Sequence, residues 1–497
     1  MAVNSNKCGQ IKSVKNVDKN NKYASEVIQR GIAITLVVIL SGIFISFIWN
    51  NNVWMDEAFT ASLVHTGYIG VLYRSMMDTL PPLYNLYLKT MTLIFGYSIP
   101  VMKFSSVIPM IMTLILGMTV VRRRFGLKTA ILFDMLITFM PLMIYFGVEI
   151  RMYSMGFFFA TASGVYAYEL VNDFSKKNLR LFVLFSVLAG YSHHFAFVSV
   201  GFVFLYLLLY YNFFEKQNIK RWFKCLLYTF VFYLPCLIVT LRQLANVSGY
   251  FSMPDVDLHL FIQYVLYPFM AGKLTGSVCC ALLCFGAIVI VLFGICKNRS
   301  IKKEDVYALL CFSIYYGVLI FGTIISKIMT ANIFVDRYLF FSTGLLWLFA
   351  AIIYGKSDRR IYTAAVIAAL IVGVCVYMVE YKTEYSNSAD EEIKLLRENV
   401  KDGDVFLGLG GHEELENCIP FYSMVDEDTP ELRTVYSLKE GIEFLKVYSY
   451  NQMIIGVFED YEFTDLDLQL IEQAGLELEK LGDCDFDRYT CELYIVR

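Results

Sequence analysis

Charged side chains are scarce in this chain. Asp, Glu, Lys and Arg together make up 18% of its 497 residues, while hydrophobic residues make up 57%. Soluble globular proteins carry about 25% charged and about 45–50% apolar residues, so this excess points to lipid as the solvent for much of the chain. A mean hydropathy of +0.55 agrees. Nucleotide signatures are missing too: there is no P-loop, no dinucleotide glycine fingerprint and no soluble nucleotide-sugar domain, so chemistry on a soluble nucleotide has no recognisable site. No internal repeat or low-complexity stretch stands out, and no spaced His/Cys cluster suggests metal ligation. The 12 cysteines lie mostly inside apolar runs, where they act as small hydrophobes. Cys484 and Cys491 could pair, but Cys418 would be left over, so a disulfide framework is not supported. No small-residue cleavage signature follows the first apolar run, and 31–49 reads as a retained helix.

The charges that are present divide the chain. From Tyr381 onward there are 10 Lys/Arg against 28 Asp/Glu, so the net charge of −3 hides a basic front and an acidic tail. Three parts follow: a basic segment at 1–30, a membrane part at 31–380, and an acidic domain at 381–497. Stretches long enough to cross a bilayer need roughly 17–25 apolar residues. Eleven candidates lie at 31–49, 101–121, 129–148, 152–171, 180–193, 194–213, 223–241, 276–295, 304–326, 338–354 and 361–379. With the N-terminus in the cytoplasm, the inside loops hold Arg122, Arg123, Arg124 and Lys128; Lys176, Lys177 and Arg180; Lys216, Lys220 and Arg221; Lys297, Arg299, Lys302 and Lys303; and Lys356, Arg359 and Arg360. Every inside loop then obeys the positive-inside rule, and the acidic tail falls outside the cytoplasm.

That parity makes the apolar segment 82–95 an interfacial helix within a long external loop, 50–100, because a full crossing would put Arg122–Arg124 outside. A second external segment covers 245–276, with Pro254, Asp255, Asp257 and His259. The tail reads as a small α/β domain. Helices are expected at 389–400 after Ser388, at 438–448 and at 465–474, and strands at 405–409, 452–458 and 489–496. The expected class is a mainly α, polytopic membrane protein with about eleven crossings and a C-terminal extracytoplasmic α/β domain.

Candidate chemistry gathers on the external side. Asp56-Glu57 directly follows the first crossing, and the pair could serve as a base or bind a cation, or could simply offset the positive end of a helix. Asp78 precedes Pro81-Pro82, and Tyr84 and Tyr87 suit interfacial depth, for which a structural reading suffices. Glu149 and Arg151 sit between two crossings with almost no loop, where ionisable groups usually face the protein interior or a wet cavity, or pair with each other. His193-His194 marks the next outer turn; adjacent helical positions face different ways, so one histidine at most is expected to face a cavity. Lys327 and Asp336-Arg337-Tyr338 flank the last external loop. Arg offers phosphate a planar fork and Lys a point charge, unless Asp336 neutralises Arg337 locally.

The order of these features resembles the GT-C superfamily of membrane glycosyltransferases, in particular the branch with protein O-mannosyltransferases and lipid A aminoarabinose transferases. The resemblance rests on Asp56-Glu57, Asp78 through Pro81-Pro82-Leu83-Tyr84, Phe125-Gly126, Glu149-Ile150-Arg151-Met152-Tyr153, Ser192-His193-His194 and Arg337-Tyr338, and it covers approximately 30–380. It implies transfer of a sugar from a polyprenyl-phosphate carrier to a lipid, glycan or protein acceptor at the outer face of the cell membrane. Asp56 would be the general base on the acceptor hydroxyl and Glu149 a second acidic residue lining the cavity. Arg337, with Lys327, would hold the carrier phosphate. Glu57, Asp78, Tyr84, Arg151, His193, His194 and Tyr338 would complete the substrate site. Relatives often have His or Lys before the two prolines, where this chain has Leu80, so any phosphate contact made there falls to another cation. No cofactor is fixed by the resemblance, a divalent metal stays open, and nothing points to nucleic acid. Two other classes share the general plan: a transporter or flippase, for which Asp134 is the main acidic residue within a crossing, and a polysaccharide polymerase or ligase.

Overall fold

The computed structural model describes residues 26–247, 256–298, 302–329, 332–386, 389–401, 403–410, 413–423, 432–447, 450–458, 461–486 and 489–497. The lysines of the first 25 residues, Pro254, Asp255, Arg299 and Ser388 lie outside these residues. Helix α1 (Glu26–Ile45) is apolar beyond Arg30. Three short helices follow: α2 (Met55–His65), α3 (Tyr68–Met77) and α4 (Leu83–Phe95). Helix α5 (Ile99–Leu116) continues through a π-turn at Gly117–Val121 into α6 (Arg122–Phe125). The helical part is completed by α7 (Leu127–Phe139), α8 (Met143–Val148), α9 (Tyr153–Asn172), α10 (Lys176–Ser192), α11 (His194–Phe213), α12 (Ile219–Val247), α13 (Leu258–Leu266), α14 (Leu274–Asn298), α15 (Lys303–Ile328), α16 (Phe340–Lys356) and α17 (Arg359–Ser386).

Among the described residues, 8 helices are long and apolar enough to cross a membrane: α1, α5 with α6, α11, α12, and α14 to α17. The other three expected crossings are helical but depart from that pattern. Helix α9 is diluted by Ser, Thr, Gly and Tyr, and α10 has only 17 residues. The stretch 129–148 breaks into α7 and α8. Pro141 disfavours helical geometry at Met140, which is extended with ψ 156°, and Leu142 turns left-handed with φ 72°. A left-handed non-glycine residue costs roughly 1–2 kcal/mol, so packing must hold this break. The segment 82–95 is the helix α4, too short at 13 residues to span.

Close approach fixes the middle of the bundle. A Cβ on Gly344 of α16 would lie 2.1 Å from the Thr161 hydroxyl of α9, and one on Gly156 of α9 would lie 2.7 Å from the Phe341 ring. Small residues thus press α9 and α16 together, as is common between membrane helices. At the end of the bundle with the basic loops, the buried Glu169 of α9 accepts from Arg124 Nη2 at 2.9 Å and from Arg123 Nη2 at 3.1 Å. Lys356 meets Glu304 at 2.6 Å there as well.

The tail contains α18 (Asp390–Asn399), β1 (Val405–Leu409), α19 (Glu413–Ser423), β2 (Arg433–Val435), α20 (Leu438–Val447), β3 (Met453–Phe458), α21 (Asp465–Gln473), β4 (Leu478–Phe486) and β5 (Tyr489–Val496). Its five strands run in the order β2-β1-β3-β5-β4; β1 pairs in parallel with β2 and β3, and the other pairings are antiparallel. Central strands β1 and β3 are apolar on both faces, as a covered parallel pair requires. The expected helices and strands of the tail fall within a residue or so of these bounds, the usual fraying distance. Cys484 and Cys491 face each other across β4 and β5 as buried thiols, and Cys418 is buried as well.

Candidate active site

Helix α2 begins at the junction between the bundle and the tail. Its first turn carries both acidic residues, but they have separate jobs. Glu57 is buried and fully engaged: Trp54 N–H donates to Oε2 at 3.2 Å, and Ile150 N–H donates to Oε1 at 2.6 Å. That is a helix-capping role, which also ties the start of α2 to the kink after α8. Asp56 stays open. Its Oδ2 accepts no hydrogen bond, yet Arg337 Nη1 lies 3.5 Å away and Arg151 Nη2 3.8 Å away.

The two guanidiniums arrive from separate elements. Val148 ends α8, and the non-helical residues Glu149, Ile150 and Arg151 turn inward before α9 begins. Arg151 Nη1 then donates to the Thr60 hydroxyl at 2.7 Å and to the Asp56 carbonyl at 3.2 Å. Arg337 sits in the turn before α16, with its guanidinium 5.6 Å from the centre of the Trp54 ring. The local pairs allowed by the sequence are therefore replaced. Arg151 pairs with Asp56 and not with Glu149, while the Asp336 carboxylate takes the backbone N–H of Arg337 at 2.7 Å. Glu149 Oε1 instead takes the indole N–H of Trp54 at 2.9 Å, and its Oε2 accepts no hydrogen bond. Burial pushes the Glu149 carboxyl up, and repulsion from Glu57 and Asp56 adds to that. The Nε atoms of Arg151 and Arg337 are likewise buried without a hydrogen-bond partner. Two guanidiniums with unfilled Nε donors thus flank a carboxylate oxygen that takes no hydrogen bond.

Other candidates lie around this cluster. Asp78 caps the end of α3 beside Ser62 and Asn417, and burial raises its carboxyl above the ordinary carboxylate range. Tyr84 is turned into the core, its hydroxyl 2.7 Å from that of Ser106. His193 and His194 line one cavity together with Tyr338. Both can do so because His193 is extended, φ −162° and ψ 143°, and separates α10 from α11; the expectation that only one would face a cavity assumed a continuous helix. His193 Nε2 is buried without a hydrogen-bond partner and its ring stacks 4.4 Å from Phe341, while His194 Nε2 meets Gln243 Oε1 at 3.0 Å. Lys327 is exposed in the last turn of α15. Sequence reasoning missed Lys103, a buried lysine that donates to Asn50 and, at 2.7 Å, to the Asn52 carbonyl. It also missed Trp54, which bridges Glu149 and Arg337. Among the described residues no group of three or more His, Cys, Asp or Glu is arranged to hold a metal ion.

The tail braces this cluster. Helix α19 packs on α2, and its Tyr422 hydroxyl accepts from Val53 N–H at 2.8 Å and lies 3.1 Å from the Val53 carbonyl. Asn52 binds the Ala389 N–H and the Glu384 carbonyl, each at 3.1 Å. Tyr422→Phe should free the segment that leads into Asp56, raising hydrogen exchange at Val53 and its neighbours by roughly tenfold, the worth of one or two hydrogen bonds. Unchanged protection there would show that the tail rests on the loop without holding it.

No protein-family model matches the chain, and no curated protein matches it in sequence. Solved structures do match. The crystal structure of ArnT from Cupriavidus metallidurans in the apo state superposes with a TM-score of 0.63 at 10% identity, covering 96% of this chain and 98% of that one. The same protein bound to undecaprenyl phosphate gives 0.65 at 9% identity, over 94% and 97%. The chain has the ArnT fold. That match and the long apolar helices agree with the multi-pass helical architecture expected from the sequence. The match to ArnT runs through the tail as well as the helices, although no motif in the tail announces it.

Proposed function

We propose that this protein is a membrane glycosyltransferase that moves a sugar from a polyprenyl-phosphate carrier to an acceptor hydroxyl at the outer face of the membrane, inverting the anomeric centre. One observation carries the reading: a carboxylate oxygen with no hydrogen bond stands between two guanidiniums that have donors to spare. The undecaprenyl phosphate bound by ArnT, on the same fold, supports a carrier of that chemistry.

In this scheme Asp56 takes the proton of the acceptor hydroxyl as the acceptor oxygen forms its bond to the anomeric carbon. The bond from that carbon to the phosphate oxygen breaks, and the phosphate leaves with the electron pair. A phosphate leaving group needs no proton, so Arg337 and Arg151 suffice to offset the charge that develops on it. A single displacement uses one catalytic carboxylate and inverts configuration. Glu149 shapes the cavity wall through Trp54 and does not attack the sugar. Asp78 borders one neighbouring cavity and His193, His194 and Tyr338 another, and in this scheme both receive substrate, with the tail domain on the extracytoplasmic side beside the acceptor. Glu57 and Tyr84 serve the substrate site by holding its frame, and Lys327 marks the last external loop.

The experiment is mass spectrometry of lipid-linked sugars and envelope glycans in cells lacking this protein. The expected result is accumulation of one carrier-linked monosaccharide and loss of a single sugar from one envelope product. Loss of whole chains would favour a polymerase or ligase. Transport of a lipid-linked substrate in proteoliposomes with no glycosidic product would overturn the enzyme assignment.

A further inference from the structure

A separate groove of about 670 Å³ opens between α10 and α12, away from the Asp56 cluster. Its walls follow the fourfold spacing that keeps residues on one helix face. Helix α10 contributes Lys176, Arg180, Leu184 and Leu188 in steps of four, and α12 contributes Lys224, Tyr228 and Phe232 in the same steps. The first positions of both stripes are cationic and the rest are apolar or aromatic. Among the described residues, no carboxylate lines the groove. Its far end is closed by the Tyr191 hydroxyl, which donates to the Phe232 carbonyl at 3.2 Å. The side walls face outward, since Leu184 is 47% exposed and Phe232 62%.

Length selects the occupant. From Lys176 to Tyr191 a helix rises about 22 Å at about 1.5 Å per residue. Half of a bilayer, headgroups included, measures about 20–22 Å. A groove of one leaflet's depth, with cations only at its mouth and hydrocarbon along its walls, fits a molecule with an anionic head and an apolar chain. We propose that it binds an anionic glycerophospholipid of the leaflet at the Lys176 end, which the positive-inside pattern makes the cytoplasmic one. Arg180 supplies a fork for the phosphate, and Lys176 and Lys224 supply point charges. The site is distinct from the catalytic one, because the whole of α10 separates Lys176 from His193. The inference stands whether or not the chain transfers sugars.

The test is native mass spectrometry of the full-length protein in detergent supplied with equal phosphatidylglycerol and phosphatidylcholine. Wild type should retain phosphatidylglycerol by roughly 10²-fold over phosphatidylcholine, as three basic residues at a membrane surface would give. The triple variant K176Q/R180Q/K224Q should lose the preference, and Leu184→Trp, which fills the groove and keeps the charges, should lose the bound lipid. Equal retention of both lipids by wild type, or an unchanged preference in both variants, would overturn the proposal. So would displacement of phosphatidylglycerol by equimolar polyprenyl phosphate. Should the variants fail to fold, wild type can be cross-linked to phosphatidylglycerol carrying a photoactivatable headgroup. Adducts should then fall within 176–191 and 224–232, and adducts elsewhere would contradict the assignment.

Discussion

Asp56→Asn should lower kcat for sugar transfer by about 10²–10⁴-fold, the range general-base catalysis supplies. Asparagine keeps the size of the side chain but cannot take the acceptor proton. The backbone of α2 should hold, because the cap is made by Glu57 and the Asp56 carbonyl still accepts from Arg151. Initial rates on a carrier-linked sugar, with the amount of inserted protein measured in parallel, give the comparison. Transfer within a few-fold of wild type in properly inserted protein would remove Asp56 from the role of base. A companion variant, Glu57→Gln, should act on stability more than rate, since both Glu57 oxygens are spent on backbone amides.

Arg337→Gln should have the second large effect, a loss of about 10²–10³-fold in kcat, typical for removal of a preorganised donor from developing charge. It lies 3.5 Å from Asp56 and has a buried Nε without a partner, so a phosphate can take that donor without displacing another contact. Arg337→Lys separates charge from geometry. Lysine keeps the cation but not the planar fork, so partial recovery of kcat over the Gln variant is expected. If Gln and Lys variants both leave kcat intact and raise only the donor KM, Arg337 binds the ground state and does not stabilise the leaving phosphate.

Much of this arrangement was legible before any coordinates. Long apolar runs mark α1, α5, α11, α12 and α14 to α17 because a bilayer leaves few alternatives to a helix of that length. Asp56, Glu149, Arg151 and Arg337 stood out as candidates because ionisable groups are rare at membrane rims, and the structure gathers them in one cluster. Their pairing was not. Glu149 and Arg151 are neighbours in sequence, but a kink sends one to Trp54 and the other to Asp56. That kink is tied to α2 by the Ile150 N–H on Glu57, a contact between distant parts of the chain that no local pattern encodes. Lys103 escaped notice because a single lysine near the start of an apolar helix looks like an ordinary interfacial charge; only the fold folds Asn50 and Asn52 back over it. The extents of α2 and α3 were not legible for another reason: they are short, and they are held by Ile150, Arg151, α19 and Gln243, far along the chain. The break at Pro141 was readable in principle, since a proline restricts the residue before it.

Sidedness is what the whole account depends on. The most direct measurement is labelling of intact cells with a membrane-impermeant thiol reagent, followed by peptide mapping. Ser62→Cys places a thiol on α2 beside Asp78, whereas the native Cys296 is exposed near the end of α14, in a predicted cytoplasmic loop. Position 62 should label at once, and Cys296 only after the membrane is permeabilised. Labelling of Cys296 in intact cells, with position 62 protected until permeabilisation, would contradict it.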